Sequence, residues 1–151
     1  MRRTTFTDYN LRVLIYLAIR PDTRATIAEI ATAFAVSESH LMKVVHFLGK
    51  QGFLANVRGR GGGLMLARPP EEINVGAVVL LTEADSLPAE CFDEDHDTCV
   101  ISRACQLRKV LDEAVKAFYD VLNQYTLADL ISQRRNLARL LSIPIEVVGR
   151  G

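Results

Sequence analysis

The chain has 151 residues, 49% of them apolar, with 18 Lys or Arg against 18 Asp or Glu and three cysteines. That length suits one compact domain, or a small domain whose appendage completes its core on a partner. No run of about 18 apolar residues occurs, and Met-Arg-Arg leads into Thr-Thr-Phe-Thr-Asp. Neither a membrane span nor a secretory leader is therefore expected, and the cytoplasm is the expected compartment.

The zero net charge hides an asymmetry. Residues 1–68 hold ten Lys or Arg against four Asp or Glu, a net +6, while residues 69–151 hold eight against fourteen, a net −6. A basic N-terminal half suits a polyanion, because clustered Lys and Arg neutralise phosphates and release counterions.

In chain order, the apolar residues Leu11, Leu14, Ile15, Ala18 and Ile19 recur at helical spacing and predict a first helix from Tyr9 to Ile19, ending before Pro21. Thr26-Ile27-Ala28-Glu29 has the form of a capping box, which opens a second helix from Ile27 to about Phe34. After a short turn at Val36, Ser37 is a good N-cap for a third helix through Lys50, closed by Gly52 in the left-handed conformation. Two short helices so joined form a helix-turn-helix. In the third, Leu41, Val44, Val45 and Leu48 make one apolar stripe, leaving Glu38, Ser39, His40, Lys43 and His46 on other faces. Ser37, Ser39, His40 and Lys43, at its N-terminal end, are the candidates for contact with base edges in a major groove.

Phe53 to Arg58 and Leu64 to Ala67 then predict two strands around the tip Gly59-Arg60-Gly61-Gly62-Gly63. A mononucleotide loop is disfavoured, since the tip lacks the Lys-Ser or Lys-Thr of a P-loop and joins strand to strand. Arg58 and Arg60, with Gly61 giving a tip poor in side chains, suit contact with a phosphate backbone or a minor groove. The expected fold is mainly α with a small β-hairpin, a winged helix-turn-helix domain over residues 1–84.

Asn74 caps a short apolar helix expected to reach about Ala84, and residues 85–104 read as an acidic loop holding Cys91 and Cys99. A long helix is predicted from Ala104 to Tyr125, with a heptad-like seam of Leu107, Leu111, Ala114, Phe118, Val121 and Tyr125. At about 1.5 Å per residue it would run roughly 33 Å. That is long for so small a domain to cover, so pairing with the same helix of a second copy is expected. Residues 105–135 thus form the dimerisation segment, with Thr126 capping a last short helix from Leu127 to Ser132. Residues 136–151 form a tail whose end, Val148-Gly149-Arg150-Gly151, is expected to be loosely ordered.

Cys91, Cys99 and Cys105 fall within fifteen residues. An odd, clustered count favours metal or redox chemistry over a disulfide framework. Their spacing departs from the paired C-x-x-C of structural zinc sites. Three unrelated thiols, zinc completed by His96, and an iron-sulfur cluster on three thiolates and a weaker ligand all stay open, with the last favoured because thiolates select such clusters. No nucleophile-base pair or phosphate loop marks an enzyme.

Several segments together carry a resemblance that extends to about residue 141. They are Thr4-Thr5-Phe6-Thr7-Asp8-Tyr9 with Leu11-Arg12 and Leu14-Ile15-Tyr16; Val57-Arg58-Gly59 with Gly62-Gly63; the three cysteines; and Tyr125-Thr126-Leu127-Ala128-Asp129-Leu130. The sequence resembles the bacterial winged-helix iron-sulfur regulator family that includes NsrR and IscR, and its NsrR branch above all. The IscR-like histidine three residues after the last cysteine is replaced by Arg108. The resemblance implies a homodimeric repressor bound to double-stranded promoter DNA, with one iron-sulfur cluster per protomer, 4Fe-4S in preference to 2Fe-2S, and nitric oxide as the releasing signal. It also implies Asp8 as the fourth ligand, reaching the partner's cluster beside Cys91, Cys99 and Cys105. Asp93, Asp95 and His96 are the substitutes for Asp8, and an acid in a first helical turn also has the ordinary role of stabilising the helix dipole. The alternative is a cluster-free thiol-redox or zinc-dependent regulator of the same fold.

Overall fold

The computed structural model describes residues 4–144. The elements are α1 (Thr5–Ile19), α2 (Ile27–Phe34), α3 (Glu38–Lys50), β1 (Leu54–Val57), β2 (Gly63–Leu66), α4 (Val75–Thr82), α5 (Gln106–Leu122), α6 (Leu127–Leu130) and α7 (Arg134–Leu140). Three single 3-10 turns interrupt the connections.

Helix α1 starts four residues before the point its apolar period marks. Thr4 caps it, its hydroxyl accepting from the Thr7 N–H at 3.2 Å, while the modest helix formers Thr5, Phe6, Thr7 and Asp8 conceal the start. Val13, Leu14, Leu17 and Ile19 have almost no exposed surface. Around them gather Ile30 of α2, the predicted stripe Leu41, Val44, Val45 and Leu48 of α3, and Phe53, Leu54 and Leu64 of the hairpin. The Phe6 and Phe47 rings meet edge to face at 5.2 Å between centroids.

The local signals form as their chemistry dictates. The Thr26 hydroxyl accepts from the Glu29 N–H at 3.2 Å, and the Glu29 carboxylate accepts from the Thr26 N–H at 2.7 Å. The Ser37 hydroxyl accepts from the His40 N–H at 3.4 Å. Gly52, at φ +78°, lets the chain leave α3 for β1. In the antiparallel hairpin Leu54 pairs with Leu66 and Val57 with Gly63. A third segment joins it, as Ala25 and Leu64 exchange backbone hydrogen bonds of 2.9 and 2.7 Å.

Helix α5 is shorter than expected, about 25 Å at about 1.5 Å per residue. Ala104 belongs to a preceding 3-10 turn. At the other end Asn74 bridges two helices: its Oδ1 caps α4 by accepting from Ala77, and its Nδ2 donates to the Asn123 carbonyl at 2.8 Å. No residue of α5 is buried, and Leu107, Val121 and Tyr125 of its seam are about half exposed or more. Past residue 132, where the sequence shows no further helix, α7 forms and returns to the core. Ala138 and Ile143 are buried, and Arg134 Nε donates to the Ile19 carbonyl at the end of α1 at 2.9 Å. The expectation for Val148–Gly151 lies outside the described residues. Among those described, no helix is long and apolar enough to cross a membrane.

Gly76 marks the contact of α4 with the end of α5, where an added Cβ would stand 2.0 Å from Asn123 Oδ1 and 3.0 Å from the Asn123 nitrogen. Gly76→Ala should cost about 1 to 3 kcal/mol of unfolding free energy by overpacking. Urea denaturation measures it, and an unchanged midpoint would mean that α5 is not anchored there.

Candidate functional site

Ser37, Glu38, Ser39, His40 and Lys43 are all exposed at the start of α3. The helix is held from behind by its buried stripe and from one flank by α1. There Tyr9 lies against the His40 ring at 6.1 Å, and Thr5, Phe6, Tyr9, His40, Lys43 and Val44 line a small cavity of about 140 Å³. Arg58 and Arg60 are exposed in the hairpin tip, whose backbone favours glycine at several points, Gly61 and Gly62 among them. Gly61 has φ +74°, and a Cβ on Gly62 would stand 2.2 Å from the Val57 carbonyl oxygen. Arg24, a residue the sequence does not single out, braces this tip by donating from Nη1 to the Gly61 carbonyl at 3.0 Å. Its place before α2 gives no local hint of a partner 37 residues away.

The second half of the site is the loop between α4 and α5. Cys91 and Cys105 are partly buried, Cys99 is exposed, and all three thiols are free. The loop's polar groups are largely committed to shaping it. Asp97 accepts from the Cys99 N–H at 3.0 Å and the Ser102 hydroxyl at 2.8 Å. Glu90 accepts from the Thr98 N–H at 3.1 Å and from its hydroxyl. Asp93 meets His96 Nδ1 at 2.9 Å. Arg108 lies over the Phe92 ring at 5.7 Å, joining the loop's start to the first turn of α5.

Among the described residues, no group of three His, Cys, Asp or Glu converges as a metal site within the single chain. Asp8 sits away on α1, its carboxylate held by Arg12 through bonds of 2.8 and 3.1 Å. The donor set itself suits a thiolate-bound cluster: three free sulfurs on one exposed loop, with Cys105 at the N-cap of α5, a position that favours anionic ligands. Asp93 and His96 are paired with each other, as Asp8 is with Arg12.

The loop is tied to α1 by a buried carboxylate that no sequence motif marks. Glu83, the C-cap of α4, is 4% exposed. Its Oε1 accepts from the Thr4 N–H at 2.9 Å, the Thr4 hydroxyl at 3.0 Å and the Thr7 hydroxyl. The signal available was the pair Thr4 and Thr7 at the head of a helix, but its acceptor lies 79 residues from Thr4.

A family model, Rrf2, described as an iron-dependent transcriptional regulator, matches residues 3–133. The chain belongs to the Rrf2 family. It is 46% identical over 144 residues to the HTH-type transcriptional regulator NsrR of Bacillus subtilis (strain 168), an alignment covering 95% of this chain and 99% of that one. Among solved structures it is similar to T. potens IscR, with a TM-score of 0.70 and 27% identity over 88% of each chain. It is also similar to the oxidized form of Staphylococcus aureus CymR, with a TM-score of 0.69 and 28% identity over 87% of this chain and 97% of that one. As an Rrf2 member the protein is a DNA-binding transcriptional regulator and not an enzyme. Its α-helical fold with a two-stranded wing is that of its Rrf2 neighbours.

Replacing Arg58 and Arg60 together by alanine should weaken binding to all duplex sequences alike and flatten its salt dependence, by about 0.9 in logarithmic slope for each phosphate left without its cation. Titrations at several salt concentrations test this. Selective loss of one preferred sequence at constant slope would instead place these arginines on base edges.

Proposed function

We propose that the protein is a homodimeric repressor that holds one iron-sulfur cluster per protomer, 4Fe-4S in preference to 2Fe-2S, and leaves promoter DNA when nitric oxide reacts with it. The reading rests on one observation above the others: three free thiols occupy one loop, next to the DNA-binding unit, in a chain 46% identical to a regulator named NsrR. In this reading residues 1–84 meet DNA, residues 85–104 with Cys105 just beyond them hold the cluster, and residues 105–135 pair the protomers, in the cytoplasm. The half-exposed apolar seam of α5 supports that pairing.

Cys91, Cys99 and Cys105 would hold the cluster, and Asp8 of the second protomer would supply the weak oxygen ligand. When bound, the cluster supplies iron that nitric oxide attacks. Everything else falls to the chain. Asp8 has a second partner in Arg12, so on losing a ligand role its carboxylate returns to a cation rather than to an unpaired state. The same helical turn carries Phe6 against Phe47 and Tyr9 against His40, both on α3. A pull on Asp8 therefore acts on the helix that presents Ser37, Ser39, His40 and Lys43 to base edges, and two such helices about 34 to 36 Å apart read two half-sites.

The test is the visible spectrum and the iron and sulfide content of protein purified without oxygen, with absence of both supporting the cluster-free alternative. Cys99→Ala should lose the cluster outright. Asp8→Ala should keep a thiolate-bound chromophore, bind operator more weakly and respond differently to nitric oxide. Identical spectrum, affinity and titration in Asp8→Ala would leave Asp8 only its role at the helix terminus.

A further inference from the structure

On α3, Ser39, Lys43, His46 and Lys50 recur at steps of four, three and four, so they form one stripe opposite the buried face, and all four are exposed. The stripe extends over eleven residue steps, about 16 Å at about 1.5 Å each, whereas the major groove is about 12 Å wide. A helix that points its first turns into the groove, rather than lying along it, carries its last turns toward the edge, where the phosphates are.

At that edge lies a groove of about 460 Å³ between the second half of α3 and strand β1. Its rim is basic or polar, with His46 and Lys50 on the helix side and Arg58 on the hairpin side, and no Asp or Glu lines it. Its floor is apolar. Met42, 60% exposed although it belongs to a helix with a well-filled core face, lies there with Val45. A basic rim over an apolar floor complements a chain of phosphates joined by sugars whose C–H faces are apolar.

We propose that this groove seats one sugar-phosphate strand of the bound duplex. Lys50 and His46 contact phosphates from the helix side, Arg58 contacts them from the wing, and Met42 packs beneath a deoxyribose. The inference deepens the DNA-reading role given to α3 and requires neither cluster nor nitric oxide.

The experiment uses the full chain and two duplexes, one carrying a site that the wild-type protein selects from random sequence and one carrying none. Lys50→Ala should weaken binding to both by the same factor and reduce the logarithmic salt slope by about 0.9 per protomer. Between 50 and 200 mM salt the wild type should then lose about 3.5-fold more affinity per protomer than the variant. Lys50→Arg should restore the slope. Neutralising the facing phosphate as a methylphosphonate should leave Lys50→Ala with no further effect. Lys50→Gln is the companion variant, and melting curves confirm that each is folded. An unchanged slope overturns the proposal, as does a change of base preference at constant slope. A wild type that selects no site at all would overturn the base-reading role of α3 while the slope on the second duplex still reports on the strand.

Discussion

Everything else in the molecule depends on the burial of α1. Val13, Leu14, Leu17, Ala18 and Ile19 occupy the middle of a contiguous core, with contributions from α2, α3, the hairpin, α4, α6 and α7. Apolar burial at roughly 25 cal/mol per Å² makes this the main favourable term. The close packing also means that the helix cannot shift without its neighbours. The recognition helix is therefore not a free appendage, and its position is defined relative to α1 to within the tolerance of a packed interior.

The first turn of α1 differs from the rest in the strength of its attachments. Thr4 and Thr7 donate to a carboxylate that is almost fully buried, a strong hold because a hydrogen bond to a buried polar group is costly to lose. The neighbouring Asp8–Arg12 pair is partly exposed, where ion pairs contribute about 0 to 1 kcal/mol. Asp8 can exchange partners at little cost while Thr4 and Thr7 keep the helix terminus in place. The proposed ligand role of Asp8 would thus rest on a weakly held carboxylate beside a firmly held helix terminus.

Local chemistry was the legible part of the sequence. The Thr26 capping box, the Ser37 cap, the turn at Gly52 and the glycine tip are short-range features, each decided within a few residues, and they place the helix-turn-helix and the wing. The stripe Leu41, Val44, Val45 and Leu48 was legible for the same reason, since helical periodicity is local. What escaped were long-range pairings: Glu83 with Thr4 and Thr7, Arg24 with Gly61, Asn74 with Asn123, and α7, which is stabilised by packing on α1 rather than by a strong period of its own. At the site, residue types were legible and their mutual placement was not. The cysteines could be enumerated from the sequence, but nothing there reveals that Asp93, Asp97 and Glu90 are engaged in holding the loop's shape.

The backbone bridge between Ala25 and Leu64 fastens the base of the wing to the connection that precedes α2. Since α2 and α3 share the core with that connection, the distance from the recognition helix to the glycine tip behaves as a fixed gauge. A duplex that does not match the gauge must itself bend or change its groove width, at an energy that depends on base-step stiffness. Selection among duplexes would then include their mechanical compliance as well as their base edges.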